Sequence, residues 1–283
     1  MDKRKLEETF FKVLMILSAL LVMGSLAAVV LIVLIRGLPA LDLAMITQSP
    51  KGGYYYGKEG GVLNAILGSF CLGIGATAAA LVFSLPIVFY LQKDYVGESR
   101  LAMVVRLALD LLWGVPSIVY GAFALIIMLY LGLRASLLAG IIALTLVELP
   151  IMVRAMDEVV RLVPKELKDA SYAVGATRFE TTAKVVWRQA LPGIVTGILL
   201  AFGRGIGDAA SVLLTAGYTD YLPSSLMEPV ASLPLAVFSQ IGMPFPEVQR
   251  RAYAAGAILL ALVLLVSIVA RLLARRFERH VVR

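Results

Sequence analysis

Apolar runs dominate the chain. Residues 13–35, 62–91, 114–132, 136–153, 193–216 and 252–270 carry at most two charged side chains each. A bilayer core takes roughly 20 residues of α-helix to cross, and a spanning backbone must satisfy its own hydrogen bonds. The pattern therefore predicts an all-α polytopic membrane protein with about six transmembrane helices in one transmembrane domain over 1–283. One long stretch breaks the pattern. Residues 154–192 hold seven Lys/Arg and five acids, cannot cross lipid and must lie in water. Pro164 opens a short amphipathic helix over Lys165 to Ala173, since a first-turn position needs no N–H. Gly175 follows, and then Thr177 with Glu180 three residues on, the spacing of a capping box. Behind that cap, Phe179, Ala183, Val186 and Trp187 fall on related faces of a second helix. Such a helix-glycine-helix elbow is either a plain solvated connection or a handle for another protein.

The remaining polar marks are sparse. Residues 1–12 are polar and basic before the first run; a cleaved leader is the alternative to a retained span, but about 23 apolar residues exceed its usual 7–15. Tyr54, Tyr55 and Tyr56 lie in the loop from Arg36 to Gly61, where they suit an interfacial belt or a contact with a binding protein. The second run is rich in Gly and Ala, a composition that lets helices approach closely. Residues 93–110 read as a short internal loop leading into a helix along the membrane surface, and Gly132-Leu133-Arg134 as a tight turn. Pro116 starts or kinks the third span, which leaves free N–H groups and the Ser117 hydroxyl at an end favouring anions, or it merely sets a boundary. Glu148 either meets cargo or, with Pro150 two residues on, sits at a frayed helix end in interfacial water. In the fifth span Arg204 and Asp208 are four apart and share a face, with Arg204 near mid-bilayer, where an arginine calls for a partner or a polar path. The pair is then either a pathway element or a structural tie. Residues 217–249 are punctuated by proline, and Val230 to Ile241 is too short to span.

Composition narrows the functions available. Sixty per cent of residues are apolar and 16% charged, against about 25% charged in soluble domains. The net charge of +7 would suggest nucleic acid in a soluble chain; here loop position explains it, and no nucleic-acid partner is implied. In a six-span arrangement 19 Lys/Arg fall on one side and six on the other, so both termini and the 154–192 loop are expected in the cytoplasm of a cell-membrane protein. With one cysteine, Cys71, and one histidine, His280, neither a disulfide nor a metal site is supported. No phosphate-binding loop or nucleophile-base set appears, and the glycines around Arg204 follow no strand, so no dinucleotide or other cofactor is expected. Any ATP must be hydrolysed by a partner.

Two motifs resemble a known family. Asp169-Ala170-Ser171, Gly175 after three intervening residues and Val185 after nine more resemble the cytoplasmic coupling loop of ABC-importer permeases. The closing Leu-Pro of that pattern is displaced, for Trp187-Arg188 holds its slot and Leu191-Pro192 comes four residues late. Trp113-Gly114-Val115-Pro116-Ser117-Ile118-Val119-Tyr120-Gly121 resembles the signature of phosphate-import permeases of the PstA and PstC kind, more nearly the PstA kind. Gly203 to Asp208 resembles that family's Gly-Arg-x-x-Gly-Glu-Thr element, with Asp208-Ala209 in place of Glu-Thr. The likeness runs from about Gly60 to the end. It implies a type I ABC-importer permease fold and a coupling contact through Asp169, Ala170, Ser171 and Gly175. It also implies a path lined by Arg204, with Asp208 and Ser117 as companions. Implied partners are an ATP-binding subunit pair, a second permease subunit and an extracytoplasmic substrate-binding protein. Another oxyanion importer, for sulfate, molybdate or tungstate, is the nearest alternative; an ion-coupled secondary transporter is the more distant one.

Overall fold

The computed structural model describes residues 3–51, 60–92, 94–96 and 99–278, and the side chains of these except Lys3, Leu6 and 274–278. Tyr54 to Tyr56, His280 and the last basic residues lie outside the described set, so the readings placed on them have no structural counterpart here. In chain order come α1 (Lys3–Gly37), α2 (Leu43–Thr47), α3 (Leu63–Tyr90), α4 (Arg100–Trp113), α5 (Ser117–Tyr130) and α6 (Leu137–Arg161). They are followed by α7 (Lys165–Ala173), α8 (Arg178–Glu180), a π-helical turn (Thr181–Val186), α9 (Trp187–Ile206), α10 (Leu233–Ile241) and α11 (Pro246–Glu278). From α8 through α9 the chain runs on as one helix, Arg178–Ile206.

Among the described residues five helices are long and apolar enough to cross a membrane, and α4 with α5 makes a sixth candidate, bent by 102°. The bend follows from sequence: Gly114 ends α4, and Pro116, in extended geometry, cannot continue it but can precede α5. Tyr120 secures the corner by donating from its hydroxyl to the Leu112 carbonyl at 2.8 Å.

At the centre α3, α6 and α9 pack against one another, α11 lies against α9, and α1 touches the rest along α11. Small residues permit the closeness: Ala76 and Ala80 of α3 are fully buried, and a Cβ on Gly68 would stand 1.9 Å from the Ala231 carbonyl. At one end of the bundle Met152, Met156 and Val160 of α6 meet Val88 of α3, Leu91 just beyond it and Ile194 of α9. At the other, Val62, Ala65, Leu233, Ala236, Ala254 and Ala255 form a second core.

Three sequence expectations need correction. The fourth span does not end near residue 153: α6 continues to Arg161 with Pro150 buried inside it, so the first eight residues of the polar stretch are helical. Buried Asp157 makes this possible by accepting from Arg106 at 3.0 Å and lying 3.2 Å from Arg161. Glu148 is correspondingly not at a wet, frayed end but wholly buried. The fifth span stops at Ile206 rather than reaching residue 216. Beyond it, residues 207–232 have no regular helix but are pinned throughout: Ser136, Leu137 and Leu138 donate their N–H groups to Thr215, Glu228 and Leu226 carbonyls, and Asn64 donates to Thr219. The first turn of α6 thus finds acceptors for donors that have none within the helix.

Candidate functional site

A cavity of about 240 Å³ opens where α4 bends into α5 and α9 ends. Leu112, Trp113, Val115, Ser117, Tyr120, Val147, Ile151, Leu200 and Arg204 line it. Ser117 and Arg204, far apart in sequence, therefore face one space. Ser117 is the first residue of α5, and no side chain caps that end. The cavity is thus lined by a hydroxyl at the first turn of a helix and by a guanidinium, against a mostly apolar wall, a donor set suited to an anion.

Arg204 is not in mid-helix as expected but in the last turn of α9, with its side chain 54% exposed. Its tie to Asp208 is loose, 3.8 Å between guanidinium nitrogen and carboxylate oxygen. Asp208, buried, is engaged more closely elsewhere: its Oδ2 accepts from the Ser211 N–H at 2.8 Å and from the Ser211 hydroxyl at 2.5 Å. The carboxylate caps the turn that follows the break, and it does not line the cavity. Glycine 207 closing the helix and a serine three residues after Asp208 were the signals of that break.

The elbow forms as expected. Pro164 precedes α7, and Gly175 takes φ +86°, the left-handed conformation that favours glycine. Thr177 and Glu180 make the reciprocal capping box. The Thr177 N–H, then the Thr177 hydroxyl and Lys184, hold the Glu180 carboxyl below the usual carboxylate range. Asp169 and Ala170 are exposed on α7, whereas Ser171 turns inward, its hydroxyl 2.9 Å from that of Thr181 in the π-helical turn. Arg178 and Lys168 anchor the elbow to Asp94, at 3.0 Å to its carbonyl and 3.2 Å to its carboxylate. Phe179 departs from the expected face: Val186 is buried, but Phe179 is 74% and Val174 85% exposed. Two large apolar side chains thus stand in water on an otherwise polar element, and their exposure could not be read from spacing.

The family model for the binding-protein-dependent transport system inner membrane component matches residues 95–282. The phosphate transport system permease protein PstA of Xylella fastidiosa (strain Temecula1) is 35% identical over 242 residues, 85% of this chain and 83% of that one. Its namesake from Pasteurella multocida (strain Pm70) is 30% identical over 269 residues, 95% of each chain. Among solved structures, an inward-facing MetNI methionine ABC transporter superposes with a TM-score of 0.64 at 19% identity, covering 76% of this chain and 95% of the other. An amino acid ABC transporter with histidines gives 0.59 at 16% identity, covering 76% and 92%. These two likenesses concern the fold.

Proposed function

The chain belongs to the binding-protein-dependent transport system inner membrane components, and we propose that it forms the translocation path of an ATP-driven importer of inorganic phosphate. As an ABC permease it works with an ATPase, and hydrolysis resides in that separate subunit. The finer assembly belongs to the proposal: an ATPase pair, a second permease subunit, an extracytoplasmic binding protein, and one permease domain with cytoplasmic termini.

One observation carries the reading of the path: Ser117 and Arg204 line the same cavity. A phosphate dianion leaving water needs fixed donors. The guanidinium offers a planar fork that stays charged at physiological pH, and the start of α5 adds a hydroxyl and backbone N–H groups. Asp208, 3.8 Å away, offsets the guanidinium while the path is empty, too loosely to compete with a bidentate anion. At the elbow, Asp169, Ala170, Ser171 and Gly175 shape the contact with the ATPase, and the exposed Val174 and Phe179 supply apolar area for it.

Radiolabelled uptake by vesicles holding the whole set of subunits tests the proposal. Phosphate transport that sulfate and molybdate do not inhibit is the expected result; preferential sulfate or molybdate transport would overturn the cargo, and uptake by this chain alone would overturn the mechanism.

A further inference from the structure

Glu148 is fully buried in the middle of α6, among helices that cross the membrane. One carboxyl oxygen, Oε2, accepts from the Thr77 hydroxyl of α3 at 2.8 Å. The other, Oε1, has no hydrogen-bond partner among the described residues. It lies against the backbone of α9, where a Cβ built on Gly205 would stand 1.8 Å from it. An ionisable side chain inside a membrane protein carries a large desolvation cost and calls for a role. An apolar residue would fill the same volume without that cost, so packing alone does not account for this carboxyl.

We propose that the Glu148 carboxyl, fixed between Thr77 of α3 and Gly205 of α9, positions the neighbouring Arg204 on the cavity. The inference rests on Arg204 serving cargo. The Thr77 bond sets the orientation of the carboxyl, and that orientation places Oε1 on the Cα of Gly205, the geometry of a weak C–H···O contact. The last turn of α9 is thereby held at one distance from α6. Arg204 is the residue before Gly205 in that turn, and Val147 and Ile151, flanking Glu148 on α6, line the same cavity. A displacement of about 1 Å at a recognition group can lower a rate by about 10²-fold, so a rigid rest for this turn has functional value.

The test uses the assembled transporter in vesicles, reading phosphate uptake at saturating phosphate with phosphate-independent ATP hydrolysis as the control for assembly. Gly205→Ala forces the turn away from Glu148, and Glu148→Ala leaves it unsupported; each should reduce uptake about tenfold or more while basal hydrolysis persists. Glu148→Gln keeps the shape and the acceptor for Thr77 but sets an amide N–H against the Gly205 Cα in place of Oε1, and should lower uptake less than Glu148→Ala does. The double variant Glu148→Ala with Gly205→Ala should retain more uptake than the product of the two single effects predicts, because the new methyl enters the vacated space. A purely multiplicative double variant would overturn the proposal, and uptake near wild type in both single variants would overturn either the positioning or its premise. A second readout separates it from its premise: in a Cys71→Ser background, the labelling rate of Leu200→Cys on the cavity wall should change when Gly205→Ala is added. An unchanged rate overturns the positioning, whereas a changed rate with unimpaired uptake upholds it and overturns the cargo role of Arg204.

Discussion

Replacing Gly175 should weaken the elbow through its backbone alone. The residue has φ +86°, and no atom lies within 4 Å of where a Cβ would be placed. Clash therefore contributes nothing, and the whole cost is the left-handed conformation, about 1–2 kcal/mol for an L-residue with a side chain. If only the folded elbow engages the ATPase, and its folded and frayed forms are close in energy, that cost reduces the competent fraction and raises the apparent Kd by about 3- to 15-fold. Asparagine tolerates this conformation better than alanine, and a β-branched valine tolerates it least. The order of affinity for purified ATPase subunit should be Gly175, then Gly175→Asn, Gly175→Ala and Gly175→Val, with phosphate-dependent ATP hydrolysis falling in step. The measurement is a titration of the ATPase onto nanodisc-held permease. Equal affinity across all four would show that the elbow does not depend on this turn, and a loss in Gly175→Asn as large as in Gly175→Val would show that strain is not the cause.

Four further outcomes are expected. Phe179→Ala should weaken ATPase capture by about 2 kcal/mol if that exposed ring is an anchor, and unchanged capture would remove it from the contact. Arg204→Lys should impair uptake and Arg204→Gln abolish it with assembly intact; recovery of transport in Arg204→Gln with Asp208→Asn would instead mark the pair as structural. Arg106→Met strands the buried Asp157, whose other cation among the described residues is Arg161, and should cost up to about 3–5 kcal/mol of stability, recovered by adding Asp157→Leu; a melting temperature unmoved by Arg106→Met would contradict that. Because the Glu180 pKa is lowered in the folded elbow, its contribution is present above about pH 4.3 and is lost as pH falls through the lower folded value. A spin label at Ala183 should accordingly stay immobile down to about pH 4, and mobility already gained near pH 6 would refute the cap.

Long helices were legible because apolar length and local punctuation agree: Pro164, Gly175 and the Thr177–Glu180 pair act within a few residues, and each behaves as its local chemistry dictates. The misread places are those where a distant partner decides. Asp157 looked like the start of an aqueous loop, yet Arg106, 51 residues away, lets it be buried inside α6. Glu148 looked like an interfacial acid, but Thr77, 71 residues away, receives it in the core. The fifth helix was overrun for a different reason, since residues 207–216 remain mostly apolar while Asp208 withdraws them from the helix by capping its own turn. Of the candidate path, the proximity of Ser117 to Arg204 was suggested only by family likeness; no local pattern links positions on separate elements.

The right-angled α4–α5 corner also makes lipid thickness a variable of this protein. At 1.5 Å per residue, the 14 residues of α5 span about 21 Å, well short of a hydrocarbon core of about 30 Å. Meanwhile α4 turns Leu101, Val104, Leu107 and Leu111 outward, an apolar edge that suits a helix floating at the level of the headgroups. A thicker bilayer would stretch the corner open and a thinner one would fold it, and Ser117 sits at that hinge while Arg204 is held by the core. Acyl-chain length should therefore alter the width of the cavity, and uptake that is equal in bilayers of different thickness would refute this.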